Sequence, residues 1–173
     1  DCGGCDFQHI SYLHQLQIKQ NILKEQLQYV LTCSNNEVAP ELVNFAGSEN
    51  PFNYRQRIRV QVERSKIGFY QHGSHLIVDV GQCHLAAPLL NIVLDLLRGN
   101  AQMPVLLRNS TALELKLSPD DNSVIVLVGF LRKPRPKDIL TAKLIANSVP
   151  GIKSIILQTK KWGDAGPFSP DNI

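Results

Sequence analysis

The sequence lacks any long apolar run. No stretch of its 173 residues approaches the roughly 20 consecutive apolar residues that a membrane-spanning helix needs. It also lacks a charged segment followed by an apolar one, the pattern of a secretory signal peptide. Methionine occurs once, as Met103, and the sequence begins at Asp1. We therefore expect a soluble cytoplasmic protein that binds no membrane, and we expect the sequence to be a fragment of a longer chain.

Internal repeats and low-complexity tracts are absent as well. Hydrophobic residues make up 43% of the chain and charged residues 19%. This balance excludes disordered, collagen-like and coiled-coil chains. A chain of this length can bury a sizeable core. The composition therefore predicts a globular fold.

Positive charge is concentrated in three short segments. Residues 1–50 carry two lysines against six acidic residues, whereas residues 53–66 carry five basic residues against one acidic residue. Residues 131–143 again carry five basic residues against one, and residues 151–162 add three lysines. Binding to a polyanion depends on locally clustered Lys and Arg. The pattern favours either a polyanion-binding face or a set of solvated basic loops.

Hydrophobic periodicity predicts an α+β fold with a mainly antiparallel sheet and helices on one face. Apolar residues at helical spacing predict a long helix over 9–32, and strict alternation predicts a strand over 54–63. The other predicted elements are strands over 67–71, 76–80, 111–117, 124–130 and 152–158 and helices over 86–98 and 138–147. The order is α-β-β-β-α-β-β-α-β, with about six strands and three helices.

Cys2 and Cys5 form a Cys-x-x-Cys pair at the start of the sequence. Two thiolates at this spacing can converge on one metal from a tight turn. Gly3 and Gly4 have no Cβ, so the backbone between the cysteines can curl around an ion or cluster. A disulfide or two free thiols are the alternatives. A thioredoxin-like role is disfavoured, because that motif follows a strand and opens a helix.

Arg55, Arg57 and Arg59 share one face of the first predicted strand. Alternate residues of a strand lie about 6 to 7 Å apart, which is comparable to the phosphate spacing along a single nucleic-acid strand. Phe52 and Tyr54 flank the row and offer a platform for bases. The alternative is that these arginines form ion pairs across the sheet with Glu63, Asp79 or Glu114.

A second basic run, residues 132–137, precedes the last predicted helix. Its two prolines stiffen the chain, so its four cations are displayed at a reduced entropic cost. The alternative is an ordinary solvated loop. The candidate nucleic-acid contacts in both regions are Tyr54, Arg55, Arg57, Arg59, Arg132, Lys133, Arg135 and Lys137.

Three motifs resemble, in the same order, those of one enzyme family. The run from Cys2 to Lys19 resembles C-G-G-C-x-x-Q-H-x-x-Y-x-x-Q-L-x-x-K, a signature of the iron–sulfur branch of the RNA uracil-5-methyltransferases, whose members modify 23S rRNA. Tyr54-Arg55-Gln56-Arg57 resembles the family's Y-R-x-R strand. The run from His75 to Cys83 resembles its H-x-I-V-D-x-x-x-C element.

The resemblance implies a cluster site. In that family four cysteines hold a 4Fe–4S cluster. Cys2, Cys5 and Cys83 match three of these ligands, and the fourth would lie upstream of this sequence. Gln8 and His9 belong to the signature and are implied donors to the cluster sulfurs. Without the upstream cysteine we expect a partial cluster or its loss.

The resemblance does not extend to the catalytic machinery. The family's reaction needs S-adenosylmethionine, held by a Rossmann-like domain with a glycine-rich turn, together with a nucleophilic cysteine and a base. None of these has a match here. The resemblance therefore covers residues 1–160 as a central domain, and residues 161–173 are predicted to be a tail or linker toward an absent catalytic domain. It implies an rRNA-binding fragment that is inactive alone, and we expect this fragment to be a monomer.

Two rival functions fit the same residues. One is a stand-alone zinc-binding structural or nucleic-acid interaction module that uses Cys2, Cys5, Cys83 and His84. The other is a thiol-containing interaction domain with no metal.

Overall fold

The computed structural model describes residues 2–33, 46–64 and 66–170. The chain divides into two compact units: Cys5–Pro51, and residues 1–4 together with Phe52–Ile173. In the described ranges, no helix combines the length and the hydropathy of a membrane span.

The smaller unit is built on helix α1, Tyr12–Cys33, which confirms the long helix predicted there. Gln15 fixes the turn ahead of the helix, because its side-chain amide donates to the carbonyl oxygens of Phe7 at 3.0 Å and Ile10 at 2.9 Å. No residue of α1 is buried. The apolar residues spaced along this helix therefore lie outside the core.

The larger unit is a seven-stranded sheet with helices against one face, within the described residues. Its strands are β1 Arg57–Glu63, β2 Lys66–Tyr70, β3 Ile77–Val78, β4 Ser110–Ser118, β5 Ser123–Phe130, β6 Ile152–Thr159 and β7 Ala165–Phe168. Its helices are α2 Pro88–Gly99, α3 Met103–Leu107 and α4 Pro136–Ser148. The strand order is β3-β2-β1-β4-β5-β6-β7. Among these seven strands of the described residues, the β5–β6 pair is parallel and the other neighbouring pairs are antiparallel.

The α+β class and the mainly antiparallel sheet are confirmed, but the predicted number of elements is wrong. The described residues contain seven strands and four helices in all. Helix α3 has five residues, too few to establish a helical period. Strand β7 lies in the segment after Lys160, where glycines and prolines gave no strand signal, and it pairs with β6.

Successive side chains of β1 alternate between the buried core and the opposite face of the sheet. Ile58, Val60 and Val62 are buried and belong to one apolar cluster with α2, α3 and α4. Arg57 and Arg59 alternate with them and are exposed. The core-facing residues of β1 continue across the sheet in register, since Ile58 pairs with Leu115 of β4, which pairs with Val126 of β5. The arginines therefore lie on the face away from the helices.

A short parallel contact joins the segment before β1 to the segment before α2. Arg55 N–H donates to the Leu85 carbonyl at 2.7 Å, and Ala87 N–H donates to the Arg55 carbonyl at 2.8 Å. This contact replaces the predicted start of the strand, because β1 begins at Arg57.

Candidate nucleic-acid interface

Three cationic side chains meet one carboxylate on the sheet face away from the helices. Arg59 lies opposite Glu114 in the β1–β4 register, and Arg57 lies opposite Lys116. Arg57 reaches Glu114 with two contacts, Nε to Oε1 at 2.9 Å and Nη2 to Oε2 at 3.0 Å. Lys116 Nζ lies 3.2 Å from Glu114 Oε1, and Arg59 Nη1 lies 3.9 Å from Oε2. We call Arg57, Arg59, Lys116 and Glu114 the cationic cluster.

The cations of the cluster are in solvent, whereas the carboxylate is not. The side chains of Arg57, Arg59 and Lys116 are 62%, 57% and 42% exposed, and that of Glu114 is 10% exposed. Three positive charges face one negative charge, so the cluster keeps a net charge of +2. The cluster is therefore an exposed cationic surface with a buried anionic anchor.

The Glu114 carboxyl stays ionised at neutral pH. Burial acts to raise the pKa of Glu114, but hydrogen bonds from Lys116 and Arg57 outweigh it and the net effect lowers the pKa. A charged anchor restrains the side chains around it. Restrained donors lose less conformational entropy when they bind an anion.

The ion pairs considered as an alternative at the sequence level are present. Arg57 and Arg59 both pair with Glu114. Lys116 was missed as a site residue. Alternation in the predicted strand 111–117 places Glu114 and Lys116 on one face, but only the strand register shows that they share it with the arginines.

The residues ahead of β1 do not continue its regular spacing. Arg55 is half-buried, and its backbone bridges to Ala86. Phe52 and Tyr54 are 59% and 58% exposed. The predicted row of three evenly spaced arginines is therefore a row of two, with an aromatic segment before it.

The second basic run contains one inward-facing and three exposed cations. The Arg132 guanidinium pairs with Asp138, Nη1 to Oδ2 at 2.7 Å and Nη2 to Oδ1 at 3.1 Å, and its Nε donates to Asn109 Oδ1 at 3.1 Å. Asp138 is buried and also accepts the Arg135 backbone N–H at 2.7 Å. Arg132 therefore holds the start of α4. The exposed cations of the run are Lys133, Arg135 and Lys137.

Of the four cysteines, Cys2, Cys5 and Cys83 are half-buried and Cys33 is exposed. Across residues 2–33, 46–64 and 66–170, no group of three or more His, Cys, Asp and Glu side chains is placed to hold a metal ion. The cluster ligands and the zinc alternative therefore stay predictions. Gln8 and His9, which the resemblance implies as hydrogen-bond donors to the cluster sulfurs, are exposed.

Gly3 has a packing role in addition to the one predicted. Its N–H donates to the Tyr70 carbonyl at 2.7 Å, and a Cβ added there would lie 2.5 Å from His72 N. A Cβ added at Gly4 would meet only Cys2 Sγ, at 3.8 Å. The close approach of the Gly3 backbone to the backbone of His72 thus requires glycine at position 3.

Cys83 is held by helix α2. Asn91 Oδ1 accepts the Cys83 N–H at 2.9 Å, and Asn91 Nδ2 donates to the Cys83 carbonyl at 3.0 Å. Two turns further along α2, Arg98 donates to the carbonyls of Ile67, Val80 and Gly81. The stretch between β3 and α2 is therefore fixed to the helix at two points.

Comparison with curated proteins relates the chain to RNA methyltransferases. It is 29% identical over 171 residues to an uncharacterized RNA methyltransferase of Caldanaerobacter subterraneus subsp. tengcongensis. The aligned region covers 90% of this chain and 36% of that protein. It is 26% identical over 177 residues to the 23S rRNA (uracil(1939)-C(5))-methyltransferase RlmD of Nitrosospira multiformis. That aligned region covers 99% of this chain and 38% of the relative. The chain thus spans a little over a third of the length of these relatives. No family model matches it.

A solved structure has the same fold. The tRNA (uracil-54, C5)-methyltransferase of Pyrococcus abyssi, in complex with S-adenosyl-L-homocysteine, superposes with a TM-score of 0.63 over 98% of this chain and 39% of its own. Its sequence identity is 18%. The resemblance seen in the motifs is confirmed, since the chain is homologous to RNA methyltransferases that include a 23S rRNA uracil-5-methyltransferase. Membership of the iron–sulfur branch stays a prediction.

Proposed function

We propose that this chain, a relative of the RNA methyltransferases, is the RNA-contacting central part of an S-adenosylmethionine-dependent RNA uracil-5-methyltransferase that acts on ribosomal RNA. The observation that carries the proposal is the cationic cluster on the sheet face away from the helices. A relative named as a 23S rRNA uracil-5-methyltransferase supports the substrate and the reaction. We place the S-adenosylmethionine site and the catalytic residues outside this chain, and we expect the chain alone to be inactive.

The cluster suits the backbone of RNA. Arg57 and Arg59 are alternate residues of one strand, so their Cα atoms are about 6 to 7 Å apart and can serve successive phosphates. Guanidinium groups bind phosphate oxygens through paired N–H donors, which fixes orientation as well as charge. Lys116 adds a third cation beside them.

Glu114 leaves donors free for such contacts. Arg57 uses Nε and Nη2 on this carboxylate, and a guanidinium has five N–H donors. The remaining donors can bind a phosphate while the ion pair persists. The three cations stay in solvent although the carboxylate is buried. Ion pairs with hydrated partners add little to stability, so the arrangement is better explained by binding than by folding.

Direct binding tests the proposal. We expect the 173-residue chain to bind a ribosomal RNA fragment with an affinity that falls steeply with salt, and to transfer no methyl group from S-adenosylmethionine to it. Absence of RNA binding at low salt would refute the RNA-contacting role. Methyl transfer by the chain alone would refute the placement of catalysis outside it.

We further propose that Cys2, Cys5 and Cys83 are ligands of a 4Fe–4S cluster, completed by a cysteine upstream of this sequence. Cysteine sulfurs are the donors that such a cluster uses, and these three cysteines are half-buried. A bound cluster would tie them into one structural element without electron transfer. The described side chains do not form a ready-made site.

Metal analysis separates the candidates. The chain and a version extended upstream are reconstituted anaerobically and examined for iron, acid-labile sulfide, zinc and visible absorption. Iron and sulfide in the extended version, lost with Cys83→Ser but not Cys33→Ser, support the cluster. Zinc supports the rival zinc module, and no metal in either version supports a thiol domain without metal.

A further inference from the structure

The segment before β1 exposes two aromatic side chains within three residues. Phe52 and Tyr54 flank Asn53, whose φ of 57° lies in the left-handed region. Asparagine tolerates this conformation better than other non-glycine residues. We call Phe52, Asn53 and Tyr54 the aromatic turn. Exposure of both rings leaves apolar surface in water that the fold itself does not use.

The backbone of the aromatic turn is nevertheless fixed. Asn53 N–H donates to the His84 carbonyl at 3.0 Å, and Arg55 N–H donates to the Leu85 carbonyl at 2.7 Å. These bonds lie on either side of Tyr54. The rings are therefore displayed from an ordered backbone, which reduces the entropy lost when a ligand stacks on them.

The partner segment is itself anchored to the core and to α2. Ala86 is fully buried. Asn91 binds both backbone groups of Cys83, one residue before the contact with the aromatic turn begins. Its amide offers one donor and one acceptor in the arrangement of a peptide group, which few other side chains can supply. Asn91 thus supports the turn through residues 83–87.

We propose that Phe52 and Tyr54 form a stacking platform for unpaired RNA bases, with Asn91 as its positioning residue. The proposal rests on the proposed function and narrows its substrate to single-stranded RNA. Aromatic faces stack on any exposed base, whereas bases inside a duplex are already stacked and present only their edges. Arg57 and Arg59 follow the aromatic turn in the chain, on strand β1, and would supply the phosphate contacts.

Binding to matched single-stranded and duplex RNA tests the platform. The chain is titrated with a short single-stranded RNA and with the same RNA annealed to its complement. In the Phe52→Ala/Tyr54→Ala variant, affinity for the single strand is expected to fall roughly tenfold for each ring removed. Affinity for the duplex and the salt dependence should not change, because no phosphate contact is lost. Tyr54→Phe is the conservative control and should bind like the original chain.

The outcomes distinguish this proposal from the proposed function. If the original chain binds neither RNA, the proposed function fails and the platform fails with it. If it binds RNA and the double variant retains full affinity for the single strand, only the platform is refuted, and a protein contact explains the exposed rings. An equal loss on single strand and duplex also refutes the platform.

Asn91→Ala tests the positioning role. We expect faster amide exchange at Cys83 and Arg55, weaker binding to the single strand, and unchanged binding to the duplex. Asn147→Ala is the matched control, since its amide Nδ2 donates to the Lys143 carbonyl within α4, at 3.0 Å. Faster exchange with full single-strand affinity would refute positioning by Asn91.

Discussion

Two carboxylates sit among basic residues in this chain, and they differ in what happens to the cations. Around Glu114, the side chains of Arg57 and Arg59 stay more than half exposed. Around Asp138, the Arg132 side chain is 28% exposed and its donors are used by Asp138 and Asn109. Both segments carry the same net charge in the sequence, yet only in the first do the arginines paired with the carboxylate stay more than half exposed.

The difference shows how one pairing chemistry serves two purposes. At Asp138, a buried carboxylate joins a loop arginine to the first turn of α4, which is a structural use. At Glu114, a single carboxylate anchors three cations that keep free donors, which suits binding to an anion. Local charge density alone therefore does not identify a nucleic-acid contact.

The largest expected effect is on stability at Asp138. Asp138→Ala removes the partner of Arg132 and the acceptor of the Arg135 N–H, so we expect a loss of about 3 kcal/mol in the free energy of unfolding. Glu114→Ala should cost about 1 kcal/mol, since its partners remain hydrated. Denaturant unfolding of the two variants measures both values. Equal losses would remove the distinction between a structural and a binding carboxylate.

Acid should weaken the fold through both carboxylates. Burial acts to raise the pKa of Asp138, but hydrogen bonds from Arg132 and from the Arg135 backbone outweigh it and lower the pKa below its ordinary 3.8. The pKa of Glu114 is likewise lowered from 4.5. A lowered pKa in the folded state adds stability above the ordinary value that is lost as pH falls through the folded value.

The unfolding free energy of the chain should therefore decline as pH falls below 4.5 and then below 3.8. Asp138→Asn removes one of the titrating groups, so its curve should be lower at neutral pH and flatter in this range. Unfolding of both proteins at several acidic pH values gives the comparison. Parallel curves would show that Asp138 does not titrate differently on folding.

The sequence predicted the outward arginines but not the whole site. Alternation of Ile58, Val60 and Val62 with Arg57 and Arg59 is a local property, and the structure confirms it. The cluster also depends on which strand lies beside β1, and that register places Lys116 within reach of Glu114. No local pattern contains this information.

The second basic run shows the same limit. Its composition is that of a cation-rich loop, and nothing in it marks Arg132 as different from its neighbours. The distinction arises because Asn109 and Asp138 come from other parts of the chain. Tertiary contacts therefore determine that Arg132 forms structural hydrogen bonds.

Single arginine variants test the same comparison from the side of the cations. Arg59→Ala removes a side chain with one distant ion pair, so its unfolding free energy should fall by less than about 0.5 kcal/mol. Arg132→Ala leaves Asp138 buried without its main partner, and it should cost about 2 kcal/mol. Thermal or denaturant unfolding measures both. A larger loss for Arg59→Ala would make Arg59 a structural residue.

The salt dependence of RNA binding tests the cationic cluster most directly. In Arg57→Ala/Arg59→Ala/Lys116→Ala, three phosphate contacts are removed, so the slope of log K against log salt for a single-stranded RNA should become shallower by about 2. Arg108→Ala removes an exposed cation at the end of α3 and should leave the slope unchanged. A triple variant with the slope and affinity of the original chain would contradict the assignment of this sheet face to RNA.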